Sequence, residues 1–498
     1  MTRDETLDPK DWDALRRTFH DAVDLAIDHL REIRAKPVWS ETPETVKHSL
    51  LSDLPHTPES LDSLLSVFSR DILPYGTGNI HPRFFGWVHG AGNMAGTLGE
   101  TLAAFMNCNV GGRDHVAVYV ERQVIEWCKQ IFSFPSSASG ILTSGTSMGT
   151  VIALAAARNA FGDANVRMQG LAAAAAPLVG YASSEAHSCI AKAFDLLGLG
   201  RNALRSVPVD DDHRLSPTHL AEMIAADRKR GLKPIVVVAS AGTVNTGAID
   251  DLDAVSALCR AEGLWLHIDA AFGGLAVMTP EFRPSLVAMA HADSIAFDFH
   301  KWLQVPYDAG CVLLKDEANH RATFAARRDY LAPAHRGLAG GDPWFCDYGP
   351  ELSRGFRALK IWFTIKAHGI DALAEVIARN CRQAQLLGRA VAAGDGLELL
   401  APVSLNIVCF RFVADGLVDA ELDLLNEEIV AELQTRGIAA PSTSRVRGRI
   451  AIRVALTNHR TTTEDLALLV DAVRRLGQEW LSDRNGKVKA FVPEAGRR

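Results

Sequence analysis

The feature that most constrains the fold is a series of short apolar runs in the middle of the chain, each followed by a polar turn and a helical pattern. These runs are rich in β-branched residues and cover 141–143, 235–240, 264–269, 294–299 and 311–315. Short strands that alternate with helical stretches predict β-α-β units. Nearly continuous apolar strands suit a parallel sheet that is buried on both faces. We therefore expect an α/β fold built on a mainly parallel central sheet.

The segments on either side of this region have different patterns. Apolar residues recur at helical spacing from Asp11 to about Ala35 and again from near Thr57, but no strand is predicted in this part of the chain. Toward the C-terminus, helical stretches alternate with predicted strands at 405–412 and 449–454. Three parts follow from these patterns: an N-terminal helical segment over 1–83 that packs on something else, a large domain over 84–370 and a small α+β domain over 371–498.

The composition excludes several classes of protein. Hydrophobic residues make up 48% of the 498 residues and charged residues 22%, which is typical of a globular protein. The net charge is −7 and there is no dense basic run, so neither nucleic acid nor an anionic membrane is an expected partner. No apolar stretch reaches the roughly 18 residues that span a bilayer, and the polar N-terminus does not resemble a signal peptide. The eight cysteines have no metal-binding spacing, so we expect reduced thiols, no metal and a cytoplasmic protein that binds a small molecule.

Two glycine motifs allow competing interpretations. GAGNMA at 90–95 matches the GxGxxA dinucleotide pattern, but no clear strand precedes it, so a flexible turn explains it better. GTSMG at 145–149 matches the GxSxG nucleophile elbow and lies between a predicted strand and a helix. A serine hydrolase with Ser147 as nucleophile and His300 as base is therefore an alternative. That alternative lacks an oxyanion segment and gives no role to Lys301.

A third set of residues meets the requirements of a specific cofactor. Thr146 and Ser147 lie at a predicted helix start, where backbone N–H groups and the helix dipole favour a phosphate. Asp269 ends an apolar strand, where a buried carboxylate needs a partner such as a protonated pyridine nitrogen. Lys301 ends another strand, where a buried amine is stable as a Schiff base. Each residue could singly be structural, but together at strand ends they match the requirements of pyridoxal phosphate (PLP).

The sequence resembles the PLP-dependent group II amino-acid decarboxylases, which include aromatic L-amino-acid, histidine, glutamate and cysteine-sulfinate decarboxylases. The matching motifs occur in order along nearly the whole chain: HPRFFGW from His81, LTSGTSMGT, YASSEAHSCIAKA, GTVNTGAIDD, LWLHIDAAFGG, ADSIAFDFHKW, FRALKIWF and RVALTNHRTT near Arg453. The resemblance implies the aspartate-aminotransferase-like type I fold of PLP-dependent transferases. It also implies a homodimer with active sites at the subunit interface, in which the N-terminal segment wraps around the partner.

The resemblance implies a role for each matching residue. Lys301 resembles the lysine that forms the aldimine, Asp269 the carboxylate that faces the pyridine nitrogen, and His187 the imidazole stacked over the ring. Thr146, Ser147 and His300 resemble the phosphate ligands. Thr243 resembles the residue beside the ring oxygen, and Ala271 the small residue on the other ring face. The implied reaction converts an L-amino acid to the amine and CO2 through a quinonoid, whose α-carbon a general acid then protonates.

The chain departs from the aromatic-specific members in the long loop at 331–354. Those members use a loop tyrosine in the protonation step, whereas counting back from FRALKIWF places Phe345 at or near that position. Tyr348 or Tyr330 could substitute for it. In relatives with phenylalanine there, oxidative decarboxylation and deamination give an aldehyde. The amine is therefore the predicted product, and the aldehyde is the alternative.

The predicted substrate pocket differs as well. It comprises Phe345, then Trp87, Val88 and His89 after HPRFFG, with Asn107 and Asn109 contributed by the neighbouring subunit. An aromatic substrate is favoured because Trp87 can stack on it, but the two amides would need hydrogen-bond partners on the ligand, so a polar or acidic side chain stays open. The amides could instead satisfy loop backbone. Three arginines could meet a substrate carboxylate or form structural ion pairs: Arg354, Arg357 and Arg453.

Overall fold

A seven-stranded sheet forms the centre of the computed structural model, which describes residues 6–161, 166–326 and 334–490, with side chains up to residue 482. Its strands, numbered in chain order, are β1 (Ser139–Thr143), β2 (Leu178–Ser183), β3 (Leu204–Val207), β4 (Lys233–Ser240), β5 (Trp265–Asp269), β6 (Ser294–Asp298) and β7 (Gly310–Leu314). Their spatial order is β1-β7-β6-β5-β4-β2-β3. Every residue of β1, β2, β5, β6 and β7 is buried, as expected for a sheet covered on both faces.

Strand direction brings most of the strand ends together. Strands β2 to β6 pair in parallel, whereas β7 is antiparallel to both β6 and β1. Because β7 reverses direction between its two neighbours, β1 points the same way as β6. The carboxyl ends of six strands therefore lie along one edge of the sheet. The register places Asp269 beside Ser240 on one neighbouring strand and beside Ala296 on the other.

Sixteen α-helices pack around this sheet and a smaller one in the described part of the chain. They are α1 (Trp12–Arg31), α2 (Glu44–Ser49), α3 (Leu61–Val67), α4 (Met94–Met106), α5 (Val116–Ile131), α6 (Thr146–Phe161), α7 (Val166–Gln169), α8 (Cys189–Leu196), α9 (Pro217–Lys229), α10 (Leu252–Glu262), α11 (Arg283–Leu286), α12 (Glu317–Phe324), α13 (Arg357–His368), α14 (Ile370–Ala392), α15 (Asp419–Thr435) and α16 (Thr463–Ala490). No helix among the described residues is both long and apolar enough to cross a membrane.

The smaller sheet lies in the C-terminal part of the chain. Its four strands, all antiparallel, are β8 (Leu397–Leu399), β9 (Ile407–Phe412), β10 (Ser442–Val446) and β11 (Arg449–Ala455). Each sheet has its own hydrophobic core. Helix α14 joins the two cores, because Ile377 packs in the first and Leu387 in the second. The boundaries of the three predicted parts stay predictions.

The N-terminal helices form as predicted but bury almost nothing. Asp11 caps α1 by accepting hydrogen bonds from the amides of Asp13 and Ala14, yet no residue of this 20-residue helix is buried. Helix α3 also buries none of its residues. It begins four residues later than predicted because Ser60, which accepts a hydrogen bond from the Ser63 amide, provides the cap.

The predicted fold class is confirmed: an α/β structure with a mainly parallel central sheet and a small C-terminal sheet. Five of the seven central strands were predicted to within two residues. Strands β2 and β3 were not predicted, because LVGYAS contains glycine and serine and the short LRSV strand is only partly buried. All eight cysteines carry free thiols.

Candidate active site

A cavity of about 330 Å³ opens at the edge of the central sheet where the parallel strands end. Six residues predicted to contact a cofactor line it: His187, Thr243, Asp269, Ala271, His300 and Lys301. Three residues predicted for the substrate pocket line it as well: Trp87, Val88 and His89. The structure therefore brings together, from five separate chain segments, most of the residues that the sequence singled out.

Lys301 follows β6 and forms an ion pair that the sequence analysis did not anticipate. Its Nζ lies 2.9 Å from Oδ2 of Asp298, the last residue of β6, whose side chain is only 3% exposed. Burial lowers the pKa of Lys301, but the Asp298 carboxylate and its hydrogen bond raise it by more, so the net shift is upward. The Lys301 side chain remains 24% exposed, as expected for a group that lines the cavity.

Asp269 is the last residue of β5 and is almost completely buried. Its Oδ1 accepts a hydrogen bond of 3.1 Å from the Ala271 amide, and its Oδ2 accepts none from the described residues. Burial raises the pKa of Asp269, and the charge of Lys301 opposes that shift. A carboxylate with one free oxygen facing a cavity fits a cationic or N–H donor group on a ligand.

His187 lies in the connection after β2, next to the start of α8. Its Nδ1 accepts a hydrogen bond of 3.2 Å from the Cys189 amide, so a neutral ring carries its proton on Nε2. Burial lowers the pKa of His187, while Asp269 opposes the shift. The ring is therefore neutral at pH 7 and presents an N–H donor.

The start of α6 has the features of an anion site. The Thr146 amide donates a hydrogen bond of 2.7 Å to Asp298 Oδ1, while the Thr146 hydroxyl is buried with no partner among the described residues. Ser147 is exposed beside it. A buried hydroxyl without a partner costs free energy unless a ligand satisfies it, and a helix start favours anions. The residues present thus fit the phosphate of PLP.

The structure does not assemble the hydrolase alternative. In the described residues no hydrogen bond joins Ser147 to His300 or His300 to Asp269. The Nδ1 atom of His300 instead lies 3.1 Å from the Ala309 amide nitrogen, and its Nε2 faces Asp298 at 3.8 Å.

The GAGNMA motif has a structural explanation. A Cβ atom on Gly90 would lie 2.3 Å from the carbonyl oxygen of His300 and 2.4 Å from that of Lys301. Only glycine lets the backbone approach the lysine loop so closely. Asn93 then caps α4 by accepting a hydrogen bond from the Gly96 amide. This motif therefore supports the cavity rather than binding a dinucleotide.

Aromatic rings form one wall of the cavity. Trp87 and His89 stack with ring centroids 5.6 Å apart, and His89 contacts Tyr307 edge to face at 6.0 Å. Tyr307 also packs on His300 at 4.3 Å. Burial, with a smaller contribution from Asp298, raises the pKa of Tyr307 to about 12, so its hydroxyl stays protonated at neutral pH.

Sequence reasoning missed Asp298 and Tyr307. Asp298 lies in the motif FDFHKW between two buried phenylalanines, and that pattern could have marked it as a buried polar residue at a strand end. Tyr307 lies six residues after Lys301 in the connection to β7, where no periodic pattern indicates which way a side chain points.

Two residues predicted for the long loop at 331–354 do not line the cavity. Tyr348 is buried, and its hydroxyl donates a hydrogen bond of 2.5 Å to Glu317 Oε1. Phe345 is buried as well and packs against the guanidinium of Arg354 at 5.2 Å. Local packing therefore holds both side chains away from the cavity within one chain. Tyr330 lies outside the described residues.

The two predicted pocket asparagines have structural roles in the single chain. Asn107 ends α4 in the left-handed conformation, with φ of 45°, which asparagine tolerates better than most residues. The Asn109 side chain accepts hydrogen bonds from the amides of Gly111 and Arg354. Neither role tests the prediction that these residues reach a neighbouring subunit's pocket.

The three arginines differ in their partners. Arg354 pairs with Glu121 in a fully buried ion pair, and Arg357 pairs with Asp308. Arg453 is also buried but donates to backbone oxygens, including that of Trp87 at 2.8 Å, and its Nη2 has no partner in the described part of the chain. Among the described residues Arg354 also has a donor without a partner, its Nε, but only Arg453 of the three has no carboxylate partner.

Comparisons with known proteins agree with this geometry. Residues 43–413 match the family described as the pyridoxal-dependent decarboxylase conserved domain. The chain is 32% identical over 472 residues to an aromatic-L-amino-acid decarboxylase of Bacillus atrophaeus, a match that covers 93% of this chain and 96% of the relative.

Solved structures show the same fold. The TDC of Oryza sativa with PLP and tryptamine superposes with a TM-score of 0.88 at 26% identity, covering 95% of this chain and all of that one. The 4-hydroxyphenylacetaldehyde synthase of Rhodiola rosea gives a TM-score of 0.84 at 25% identity, with 95% and 99% covered.

The fold and the site define a PLP-dependent enzyme of the type I fold. The chain belongs to the pyridoxal-dependent decarboxylase family and is a group II amino-acid decarboxylase, a carboxy-lyase.

Proposed function

We propose that the enzyme converts an aromatic L-amino acid to the corresponding amine and CO2. The observation that carries this proposal is the cavity in which Lys301, Asp269 and His187 meet next to an aromatic wall. The match to an aromatic-L-amino-acid decarboxylase supports the choice of substrate class.

The residues of the cavity would hold PLP in one orientation. Lys301 would supply the amine for covalent attachment, Asp269 would accept a hydrogen bond from the pyridine nitrogen, and His187 would stack on the ring. Thr146, Ser147 and His300 would contact the phosphate. Thr243 would lie beside the ring oxygen, and Ala271 would pack on the opposite ring face. When bound, the cofactor supplies an electron sink for the bond that breaks at the α-carbon. The buried Asp269 carboxylate would keep that sink positively charged.

Two groups in the cavity can return a proton to the α-carbon. His187 presents Nε2–H, because its Nδ1 is occupied by the Cys189 amide. Tyr307 presents a hydroxyl that stays protonated at neutral pH. We infer that this pair takes the place of the loop tyrosine, since Tyr348 is bound to Glu317.

We also propose that the enzyme is a homodimer. Helix α1 has no buried residue, although it carries a row of large apolar side chains. Exposed apolar residues of three neighbouring helices continue this surface: Trp12, Val23 and Ile27 on α1, Leu61 and Leu64 on α3, and Leu98 and Leu102 on α4. Contiguous apolar surface of this kind marks an interaction site. A second copy of the chain would cover it, and Asn107 and Asn109 would then approach the partner's pocket.

Oxidative decarboxylation to an aldehyde is the second candidate. The loop position that holds a tyrosine in aromatic-specific members is Phe345 or a close neighbour in this chain. The similarity to a 4-hydroxyphenylacetaldehyde synthase favours keeping this alternative. The two candidates share the decarboxylation step and differ in whether a proton or oxygen reaches the carbanion.

One experiment tests both candidates. Purified protein reconstituted with PLP is incubated with tryptophan, tyrosine and phenylalanine, and with histidine and glutamate for comparison, while CO2, amine, aldehyde and peroxide are quantified. We expect amine and CO2 in equal amounts from an aromatic substrate. Aldehyde with peroxide would establish the second candidate, and a keto acid without CO2 would contradict both.

Trapping the cofactor tests the attachment site. Borohydride should fix the PLP chromophore to Lys301, and Lys301→Ala should abolish both the label and turnover. Lys315→Ala, which removes an exposed lysine at the end of β7, is the matched control and should keep both. Recovery of the label on a different peptide would refute the assignment.

A further inference from the structure

The Asp298 carboxylate connects the lysine to the anion site. Its Oδ2 lies 2.9 Å from Lys301 Nζ, and its Oδ1 accepts the Thr146 amide at 2.7 Å. The Asp298 side chain thus binds two groups that the cofactor would need: the Lys301 amine, which would react with the aldehyde, and the start of α6, which would bind the phosphate. An ordinary helix cap would account for the second contact but not for the first.

The surroundings of this carboxylate are closely fitted to it. A Cβ atom on Gly310 would lie 2.8 Å from Asp298 Oδ1 and 2.5 Å from the Cα of Gly145. Glycine at position 310 therefore leaves room for the carboxylate and the helix start to meet. His300 Nε2 lies 3.8 Å from Oδ2 on a third side.

We propose that Asp298 is a positioning residue: it holds the Lys301 side chain beside the start of α6 before the cofactor binds, and its negative charge opposes the cofactor phosphate at that helix start. This inference rests on the proposed function, because it takes Lys301 as the attachment site. The physical basis is that two anions compete for one backbone N–H group and one helix dipole. Asp298 therefore stabilises Lys301 in its ion-paired position and also weakens anion binding at the start of α6.

Several other ionisable groups also face Lys301 and enter its pH dependence. They are Asp269, Cys189, His187, His89 and His300. Asp298 makes the largest favourable contribution to the charged form of the lysine, ahead of Asp269. Replacing Asp298 should consequently change the ionisation of Lys301 more than replacing any of the others.

The test compares cofactor-free wild type with Asp298→Asn, using pyridoxal, which lacks the phosphate, and inorganic phosphate as separate probes. The rate of borohydride-trapped pyridoxal incorporation at Lys301 is measured against pH by peptide mapping. We expect its midpoint to fall by about one pH unit in Asp298→Asn, so that incorporation at pH 7 is about tenfold faster. Inorganic phosphate, measured by calorimetry, should bind about fivefold more tightly because a like charge is removed.

A matched control removes a carboxylate that does not touch the lysine. Asp308→Asn acts in the same connection after β6, but Asp308 pairs with Arg357. It should leave the pH midpoint and the phosphate affinity at their wild-type values. Equal midpoints and equal phosphate affinities in wild type and Asp298→Asn, with Lys301 labelled in both, would overturn the inference and leave the proposed function intact. Labelling of another lysine in wild type would overturn both.

If Asp298→Asn alone does not fold, a second comparison replaces it. The variant Asp298→Asn/Lys301→Met carries neither charge and is measured against Lys301→Met, which leaves Asp298 buried without its cation. We expect inorganic phosphate to bind at least fivefold more tightly to the double variant, again because a like charge is absent. Equal affinities would contradict the competition between the two anions.

Discussion

The side chains at the carboxyl edge of the central sheet and those of the N-terminal helices differ in where they find their contacts. At the sheet edge, polar groups find partners within the same chain: Asp298 accepts a hydrogen bond from the distant Thr146 amide, and His187 accepts one from the nearby Cys189 amide. In α1 and α3 no residue is buried, and apolar side chains such as Val23 and Ile27 remain exposed. The first region is organised by its own fold, except for the few atoms left for a ligand. The second has a helical pattern whose packing partner lies outside the single chain.

The largest effect is expected from breaking the second region. Val23→Ser/Ile27→Ser removes two apolar side chains from the exposed face of α1. Because both subunits of a dimer carry the change, four apolar side chains are lost from the interface. Each buried aliphatic side chain is worth about 1.5–3 kcal/mol, so the dimer dissociation constant should rise at least a hundredfold. Light scattering should show the mass falling from about twice 53.9 kDa toward 53.9 kDa, and activity should fall with it if the active sites need both subunits.

The control for this prediction changes a different, polar face of the same helix. Arg17→Ser/Asp21→Ser replaces two exposed polar residues and should leave mass and activity unchanged. A wild-type protein that is monomeric and active at assay concentration would contradict the proposed homodimer. It would also show that the apolar face of α1 serves some other contact.

The sequence predicted the two regions unequally. Strands β4 to β6 were predicted because short β-branched runs strongly favour the strand conformation. Asp269 and Lys301 were predicted as site residues because they lie at the ends of such runs. The reversed direction of β7 was not predictable, since it depends on how the connection after Lys301 folds. Asp298 was missed because its second partner, Thr146, lies 152 residues away in the chain. The buried state of Tyr348 was missed for the same reason, since it depends on Glu317 and on His320 in α12.

Two tyrosines allow a sharper test of the sheet edge. Tyr307→Phe removes a hydroxyl from the cavity, and amine formation should fall about a hundredfold if that hydroxyl delivers the proton, with a larger fraction of aldehyde among the products. Tyr348→Phe removes a hydroxyl bound to Glu317 and should cost about 1 kcal/mol of stability, with turnover nearly unchanged. Product analysis and thermal unfolding of both variants distinguish these roles. The reverse pattern would return the proton donor to Tyr348.

The smallest effect concerns the buried histidines. His320 lies in the core, where its ring nitrogens contact Ser139 Oγ at 2.8 Å and the Tyr348 carbonyl oxygen at 2.7 Å. Burial lowers the pKa of His320 to about 3. Between that value and the ordinary pKa near 6.5, the unfolded chain binds a proton that the folded chain does not, so stability is present above pH 6.5 and is lost as the pH falls.

The expected slope for His320 is at most about 1.4 kcal/mol of unfolding free energy per pH unit below the ordinary pKa of histidine. His320→Gln loses the fitted ring, so the variant should be less stable than wild type at pH 7. Because glutamine does not titrate, the stability of the variant should decline less steeply toward pH 5. His291→Gln, at an exposed position before β6, should reproduce the wild-type curve, because this side chain lies in neither hydrophobic core. Denaturant unfolding at pH 5, 6 and 7 measures all three proteins. A wild-type slope in His320→Gln would show that other buried groups, such as His267, whose pKa burial also lowers to about 3, dominate the acid sensitivity of the core.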